Sequence, residues 1–282
     1  MTDSATFKHI GVSRAGVITV IEIRRGPNNF VDTDMVAEIA DVLEDMDRTR
    51  DCRAIVLCAE GKHFCAGADF SNRGADGVAL GGTRGRHLYK EAQRLWRTGK
   101  PIVAVVQGAA VGAGLGLAVM ADFRVTCPEA RFSANFTRLG FHPGFGLTAT
   151  LPRLVGMQTA LEWCYTGRVF GAEEAQARGL VRSLHAPEDL LPAARALARE
   201  IADNTAPVSI ALTRQLLWRM AGADQPMEAH RADSRAIQSR GASADAAEGV
   251  TAFLEKRTPH YPNRVSSDLP DIWPDWKARD FS

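Results

Sequence analysis

The sequence predicts an α/β fold whose first half alternates strands with helices and whose second half is mostly helical. Three observations carry this expectation. β-rich and fully apolar runs fall almost entirely before residue 127. A period near 3.6 dominates from about residue 146 onward. The uncharged stretch between Lys100 and Asp122 is interrupted by Pro101, Gln107 and glycines 108, 112, 114 and 116, which makes it a strand, a turn and a helix start.

Taken in order, residues 7–12 and 16–24 read as a strand pair turning at Ala15-Gly16. Residues 32–48 predict an amphipathic helix capped by Asp32 or Thr33, with Met35, Ile39, Val42, Leu43 and Met46 on one face. Ala54–Leu57 is an apolar strand. The glycine-rich segment 71–85 reads as a mobile loop, followed by a helix over about 87–98. Strands are expected at Pro101–Val106 and Phe123–Thr126. Helices follow at 147–155, 157–165, 172–178, 187–202, 207–221, 226–238 and 243–256, with one strand at Leu180–Leu184. The last segment, 258–282, carries four prolines with Trp273 and Trp276, so it is no long helix, and its tryptophans need a surface to bury against.

Composition narrows the function. The 282 residues are 45% hydrophobic and 24% charged with a net charge of +1, ordinary for a soluble protein and without a field that selects nucleic acid or an anionic membrane. Met1–Lys8 lacks the apolar core of a signal peptide. The run after Lys100 is long enough to span a bilayer, but its breakers argue against that. Five cysteines, at 52, 58, 65, 127 and 164, form no CxxC pair, which suits a reducing cytoplasm. His63 and Cys65 lie close together with no second pair beside them, so no metal site is expected.

Two segments carry chemistry. Gly61–Phe70 directly follows a strand, and Lys100–Gly116 is a strand, a glycine-rich turn and a helix start. Small residues allow close ligand approach, and a helix start offers unbonded N–H groups. Two such amides converging on one point make an oxyanion hole. The second segment also has the look of a dinucleotide fingerprint, with Glu129 near the ribose-binding position, but its spacing is GxGxG and the intervening helix is short. A packed core turn is the third reading of the same residues.

These segments, in this order, resemble the crotonase (enoyl-CoA hydratase/isomerase) superfamily over about residues 7–257. Arg153–Gly156 with Ala160, Leu161, Thr166 and Gly167 is similar to the family's helix pair, Gly179–Val181 to the strand after it, and Glu248–Arg257 to its C-terminal helix. The resemblance implies a spiral of ββα units over 1–205 with an acyl-CoA site, a helical region over 206–257 that forms homotrimers or hexamers, and a Pro/Trp-rich tail over 258–282. It implies an acyl-CoA thioester as the partner, with coenzyme A as part of the substrate and no separate cofactor. It places the amide donors at Ala66 and Ala113, and Asn29, Phe30, Ala68, Asp69, Phe70 and Gly112 near bound substrate. Phe253 and Lys256 reach coenzyme A from the C-terminal helix, in the same subunit or a neighbour.

The departures from the family pattern matter as much. The two hydratase glutamates fall at Gly116 and Phe136, and an isomerase-type acid falls at Gly144. None of these residues transfers a proton, so classical hydration is not expected. An enolate-stabilising isomerase, lyase or hydrolase remains, with a non-catalytic acyl-CoA-binding protein as the alternative and a nucleotide-dependent oxidoreductase as the third class. His142, in Leu139–Gly144, is the candidate acid or base. Asn135 beside the vacated site could orient a carbonyl or water. Tyr89 and Glu91 on the helix after the loop have an undetermined register.

Overall fold

The computed structural model describes residues 7–69 and 87–274. The expected loop 71–85, Phe70 and Trp276 lie outside the described residues. In chain order the first half runs β1 (Ile10–Ala15), β2 (Ile18–Ile23), α1 (Thr33–Arg48), β3 (Ala54–Ala59), α2 (Leu88–Leu95), β4 (Ile102–Val106), β5 (Ala109–Val111), α3 (Ala113–Val119), β6 (Phe123–Thr126) and β7 (Arg131–Ser133). A 3₁₀ helix (Asn135–Leu139), α4 (Leu147–Val155), α5 (Met157–Thr166), β8 (Phe170–Gly171), α6 (Ala172–Ala177) and β9 (Ser183–Leu184) follow. A second 3₁₀ turn (Pro187–Asp189), α7 (Leu190–Asn204), α8 (Pro207–Met220), α9 (Pro226–Gly241), α10 (Ala244–Glu255) and the short α11 (Val265–Asp268) complete the chain.

The main sheet has the order β1-β2-β3-β4-β6-β9. Its first pair is antiparallel and the rest are parallel. Parallel strands covered on both faces are apolar throughout, which explains the continuous run of β3 and β4, every residue of which is buried or nearly so. α1 begins at Asp32, whose carboxylate accepts the Met35 N–H at 2.9 Å. Its five predicted face residues are all buried. Buried Glu38 turns back to cap the entry of β1, accepting the N–H groups of Lys8 and His9.

Several elements differ from the expectation. The first hairpin turns at Gly16 and Val17, since the strands pair Ala15 with Ile18. The helix expected over 87–98 ends at Leu95, and the strand expected over 180–184 keeps only Ser183 and Leu184. A whole second sheet, β5-β7-β8, went unpredicted. Its strands have two or three residues, too short to show a period. Its core is aromatic: Phe132 stacks on Phe170, which stacks on buried Trp163 at a centroid distance of 3.8 Å. The stretch 101–121 resolves into β4, β5 and α3. Among the described residues no helix is long and apolar enough to cross a membrane.

The segment after α10 packs on α8. Ile272 is buried with Val208 and Leu212, Trp273 Nε1 donates to Gln215 Oε1 at 3.1 Å, and the Arg219 guanidinium lies over the Trp273 ring. Buried Arg214 ties α8 to the sheet, its Nε meeting both Asp122 carboxylate oxygens at 3.0 Å.

Two thiols of the core make stability fall in alkali. Burial pushes Cys58 up to about 12 and Cys65 up to about 11, from an ordinary 9.0. A raised folded-state value adds stability that is fully present below the unfolded value and is lost as pH rises through the folded one. Between pH 9.0 and about 11 each thiol ionises only when unfolded, costing about 1.4 kcal/mol per pH unit. Urea melts across that window should show this slope, and Cys58→Ala should reduce it. An unchanged slope would remove Cys58 from the account.

Candidate active site

The site lies where chain segments leave the ends of β3 and β4. Gln107 stitches the two exits together, donating its amide to the Ala59 and Gly61 carbonyls. The segments then pair like parallel strands: Cys65 N–H donates to Ala109 O at 3.0 Å and Val111 N–H to Cys65 O at 3.1 Å. A Cβ on Gly114 would stand 2.1 Å from the Cys65 carbonyl oxygen, so only glycine permits this contact. On the other side, Val31 N–H donates to Gly67 O at 2.8 Å. Residues 64–68 are therefore held between 28–31 and 109–111.

This frame decides which amides are available. Ala66 N–H is given to Asn28 O at 3.0 Å, so the expected donor at Ala66 is corrected. Among the described residues the Ala68 N–H has no recorded acceptor, and neither has Ala113, the first residue of α3. Gly112 delivers Ala113 by a left-handed φ of 55°, its own N–H fixed to Ser133 O at 2.8 Å. The sequence holds no signal that separates the two: Gly67, at a φ of 101°, breaks the strand-like alternation between them, and the neighbouring segment at Asn28 decides which amide is spent.

Ala68 and Ala113 line one cleft of about 250 Å³. Its other walls are Ala66, Gly67, Val111 and Gly112 from the paired segments, Leu88 and Tyr89 from α2, and Asn135, Phe136, Leu139, Phe141 and His142 from the 3₁₀ segment. That segment is anchored through backbone carbonyls of α5, with Thr137 Oγ1 on Cys164 O at 2.7 Å and Arg138 Nε on Thr166 O at 2.6 Å. No carboxylate lines the cleft among the described residues. No group of three metal-ligating side chains occurs among them either.

The polar side chains in the cleft are those of Tyr89, Asn135 and His142. Tyr89 is half-buried, and burial raises its phenol above the ordinary value, with the Phe145 backbone pulling the other way. Its hydroxyl sits where a Cβ on Gly144 would be, 2.1 Å from that position. Asn135 places Oδ1 3.2 Å from the corresponding point on Gly112. His142 is on the lining but exposed, with Nδ1 3.2 Å from the Pro143 carbonyl. Phe136 and Phe141 do not enclose its ring.

The remaining expected residues fall elsewhere. Asn29 is fully buried at a φ of 50° and bonds the Glu60 and His63 carbonyls and the Arg25 N–H, so its side chain holds the loop rather than a ligand. Phe30 offers its carbonyl to Arg25 and does not line the cleft. Asp69 is half-buried outside the lining. Glu91 is 1% exposed and paired with Arg94 at 2.6 Å, which joins it to Asp41 and Glu44 of α1 and removes it as a candidate acid. Phe253 and Lys256 are exposed on α10 and do not reach the cleft within one chain.

The vacated acid positions are filled by aromatic rings. A Cβ on Gly116 would meet Phe145 Cβ at 2.6 Å, and Phe145 is buried at a φ of 53°. Gly116→Glu should therefore cost about 1–3 kcal/mol of stability by overpacking. In a Phe145→Gly background, which removes the Cβ as well as the ring, that added cost should shrink in a double-mutant cycle followed by urea denaturation. Additive losses would mean that Phe145 does not occupy the space.

Comparison with known proteins agrees with this geometry. Residues 13–264 match the family model described as enoyl-CoA hydratase/isomerase. The short-chain-enoyl-CoA hydratase of Clostridium acetobutylicum is 33% identical over 248 residues, 87% of this chain and 94% of that one. The 1,2-epoxyphenylacetyl-CoA isomerase of Escherichia coli is 32% identical over 252 residues, 87% of this chain and 95% of that one. The crystal structure of an enoyl-CoA hydratase from Bacillus anthracis superposes with a TM-score of 0.82 at 28% identity, covering 90% of this chain and 99% of that one. With the motifs in order, the fold shared and nearly the whole chain matched, this protein belongs to the enoyl-CoA hydratase/isomerase family of the crotonase superfamily.

Proposed function

We propose that this protein transforms an acyl-CoA thioester by holding its carbonyl oxygen between the Ala68 and Ala113 N–H groups and stabilising the enolate that forms. The observation that carries the reading is a pair of unspent amides on one apolar cleft with no carboxylate in its described lining. Amides fixed by a surrounding frame need no reorganisation as charge develops, and each is worth about 10²–10³ in rate. Isomerisation, decarboxylation, retro-aldol cleavage or hydrolysis fit this machinery better than hydration, for which two carboxylates must hold a water. Tyr89 is the proton donor in this reading: its hydroxyl lines the cleft and burial holds its phenol protonated.

A panel of acyl-CoA thioesters assayed for product tests the proposal, with crotonyl-CoA hydration expected to be negligible. Thermal melts run beside it should rise with coenzyme A and short acyl-CoAs, because a ligand of the folded state stabilises it. Binding without any turnover across the panel would leave a non-catalytic acyl-CoA-binding protein. Neither binding nor turnover would overturn the proposal.

The proposed assembly is a homotrimer or a pair of trimers. Leu217, Ile237, Val250, Phe253 and Leu254 are each more than half exposed on α8, α9 and α10, an apolar surface that copies of the chain would cover. In such an assembly Phe253 and Lys256 would approach a neighbour's coenzyme A. Light scattering at micromolar concentration should give three or six times the chain mass of 30.5 kDa, and a monomer would refute it.

A further inference from the structure

A second cavity, of about 560 Å³, opens at the opposite end of the main sheet. Val17 and Arg53 in its wall precede β2 and β3, whereas the acyl-CoA cleft is built from segments that follow β3 and β4. α7 contributes Ala202 and Asp203, and residues 258–264 close the other side.

Two guanidinium groups, those of Arg53 and Arg264, stand in its wall. Arg53 donates to the Thr205 carbonyl, and Arg264 Nη1 to the carbonyls of Tyr261 and Asn263. Among the described residues neither guanidinium is in an ion pair, and Arg264 Nε is buried with no hydrogen-bond partner. The nearby carboxylates are engaged elsewhere: Asp203 with Arg199 at 3.0 Å, and Asp245 with Arg240 at 3.2 Å and the Asn263 N–H. The Asp268 carboxylate takes the Arg264 backbone N–H rather than its guanidinium. Behind the wall, buried Lys100 donates to the Cys52 carbonyl, and its ammonium is depressed by burial and further by Arg53 and Arg264. Arg53 is lowered in turn, by burial first and by Arg264 next, against an opposing pull from Asp245 and Asp203.

Like charges gathered and partly desolvated are costly unless an anion joins them. Guanidinium forks match the oxygens of phosphate in two-point contacts, and unspent N–H groups on both arginines supply them. The volume falls in the range of small-molecule sites, larger than phosphate alone requires. Tyr261 between Pro259 and Pro262 provides an apolar wall for the rest of a ligand. We propose that this cavity binds a small phosphate-bearing metabolite through Arg53 and Arg264. Such a ligand bridges the sheet to the segment that follows α10. That segment is itself fastened to α10 by Glu248, which takes the His260 N–H at 2.7 Å and pairs with Arg257.

Inorganic pyrophosphate is the probe, titrated by calorimetry and by thermal melting into the full-length protein at fixed ionic strength, with sodium chloride as the control. Wild type should bind saturably, at one site per chain, and melt higher. Arg264→Gln and Arg53→Gln should each weaken binding by about ten-fold or more, while acyl-CoA turnover or binding stays unchanged. Arg264→Lys, which keeps the charge and loses the fork, should fall between and guards against a folding defect in the glutamine variants. Equal affinity in wild type and folded variants, a melting shift no larger than with chloride, or full displacement of pyrophosphate by coenzyme A would each overturn the proposal.

Discussion

Ala113→Pro should lower acyl-CoA turnover by about 10²–10³-fold while leaving the fold and the affinity for coenzyme A nearly intact. Proline carries no backbone N–H, so the substitution deletes one proposed oxyanion donor and puts a ring carbon in place of the amide hydrogen. Elsewhere in a helix this would break the structure. Ala113, however, is the first residue of α3, where proline's fixed φ is tolerated and its missing N–H removes no helical bond. The residue before it is Gly112, which has no Cβ to clash with the proline ring. Ala113→Gly is the control, since it changes the side chain and keeps the amide. The measurement is turnover of whichever thioester the panel identifies, with circular dichroism and coenzyme A affinity followed in parallel. A folded proline variant with wild-type turnover would show that the Ala113 amide does not hold the oxyanion. The same experiment at Ala66 is not equivalent, because Ala66 N–H already bonds Asn28 O and its loss would loosen the frame.

That contrast also shows where the sequence is legible. Elements with many residues under one constraint announce themselves: the five apolar positions of α1 repeat at helical spacing, and β3 and β4 are apolar because both faces are covered. The glycine-rich turn could be found because Gly112 and Gly114 answer to local backbone demands, a left-handed φ and a contact with a carbonyl. The second sheet was hidden because β5, β7 and β8 gain their identity only from one another. Asn29 was misread for a related reason. A polar residue in a loop near a ligand and one that stitches loops together look alike in sequence, and only its three backbone partners distinguish them. The choice between Ala66 and Ala68 depends on Asn28, 38 residues away from one and 40 from the other along the chain (66 − 28 and 68 − 28). The emptiness at Gly116 was visible as a missing carboxylate, whereas its replacement by the Phe145 ring needed the fold.

Tyr89→Phe should reduce turnover by about 10²–10⁴-fold, the usual worth of a positioned proton donor, with little change in stability. The substitution keeps the ring that packs edge-on against Phe145 at 6.5 Å and removes only the hydroxyl. Two features make that hydroxyl the best-placed proton in the cleft. Glycine at 144 leaves the space it occupies. Burial raises the phenol, so the group stays protonated through neutral pH and beyond its ordinary 10.0. The sign of the pH profile follows. Turnover that depends on the Tyr89 proton should be flat across the neutral range and fall only in strong alkali, where the proton is lost. His142→Gln is the paired variant. Its ring is exposed and no apolar shell surrounds it, so a change within a few-fold is expected there. A large loss of turnover in His142→Gln, with Tyr89→Phe nearly as fast as wild type, would return the proton-transfer role to the histidine and leave Tyr89 as a wall of the cleft.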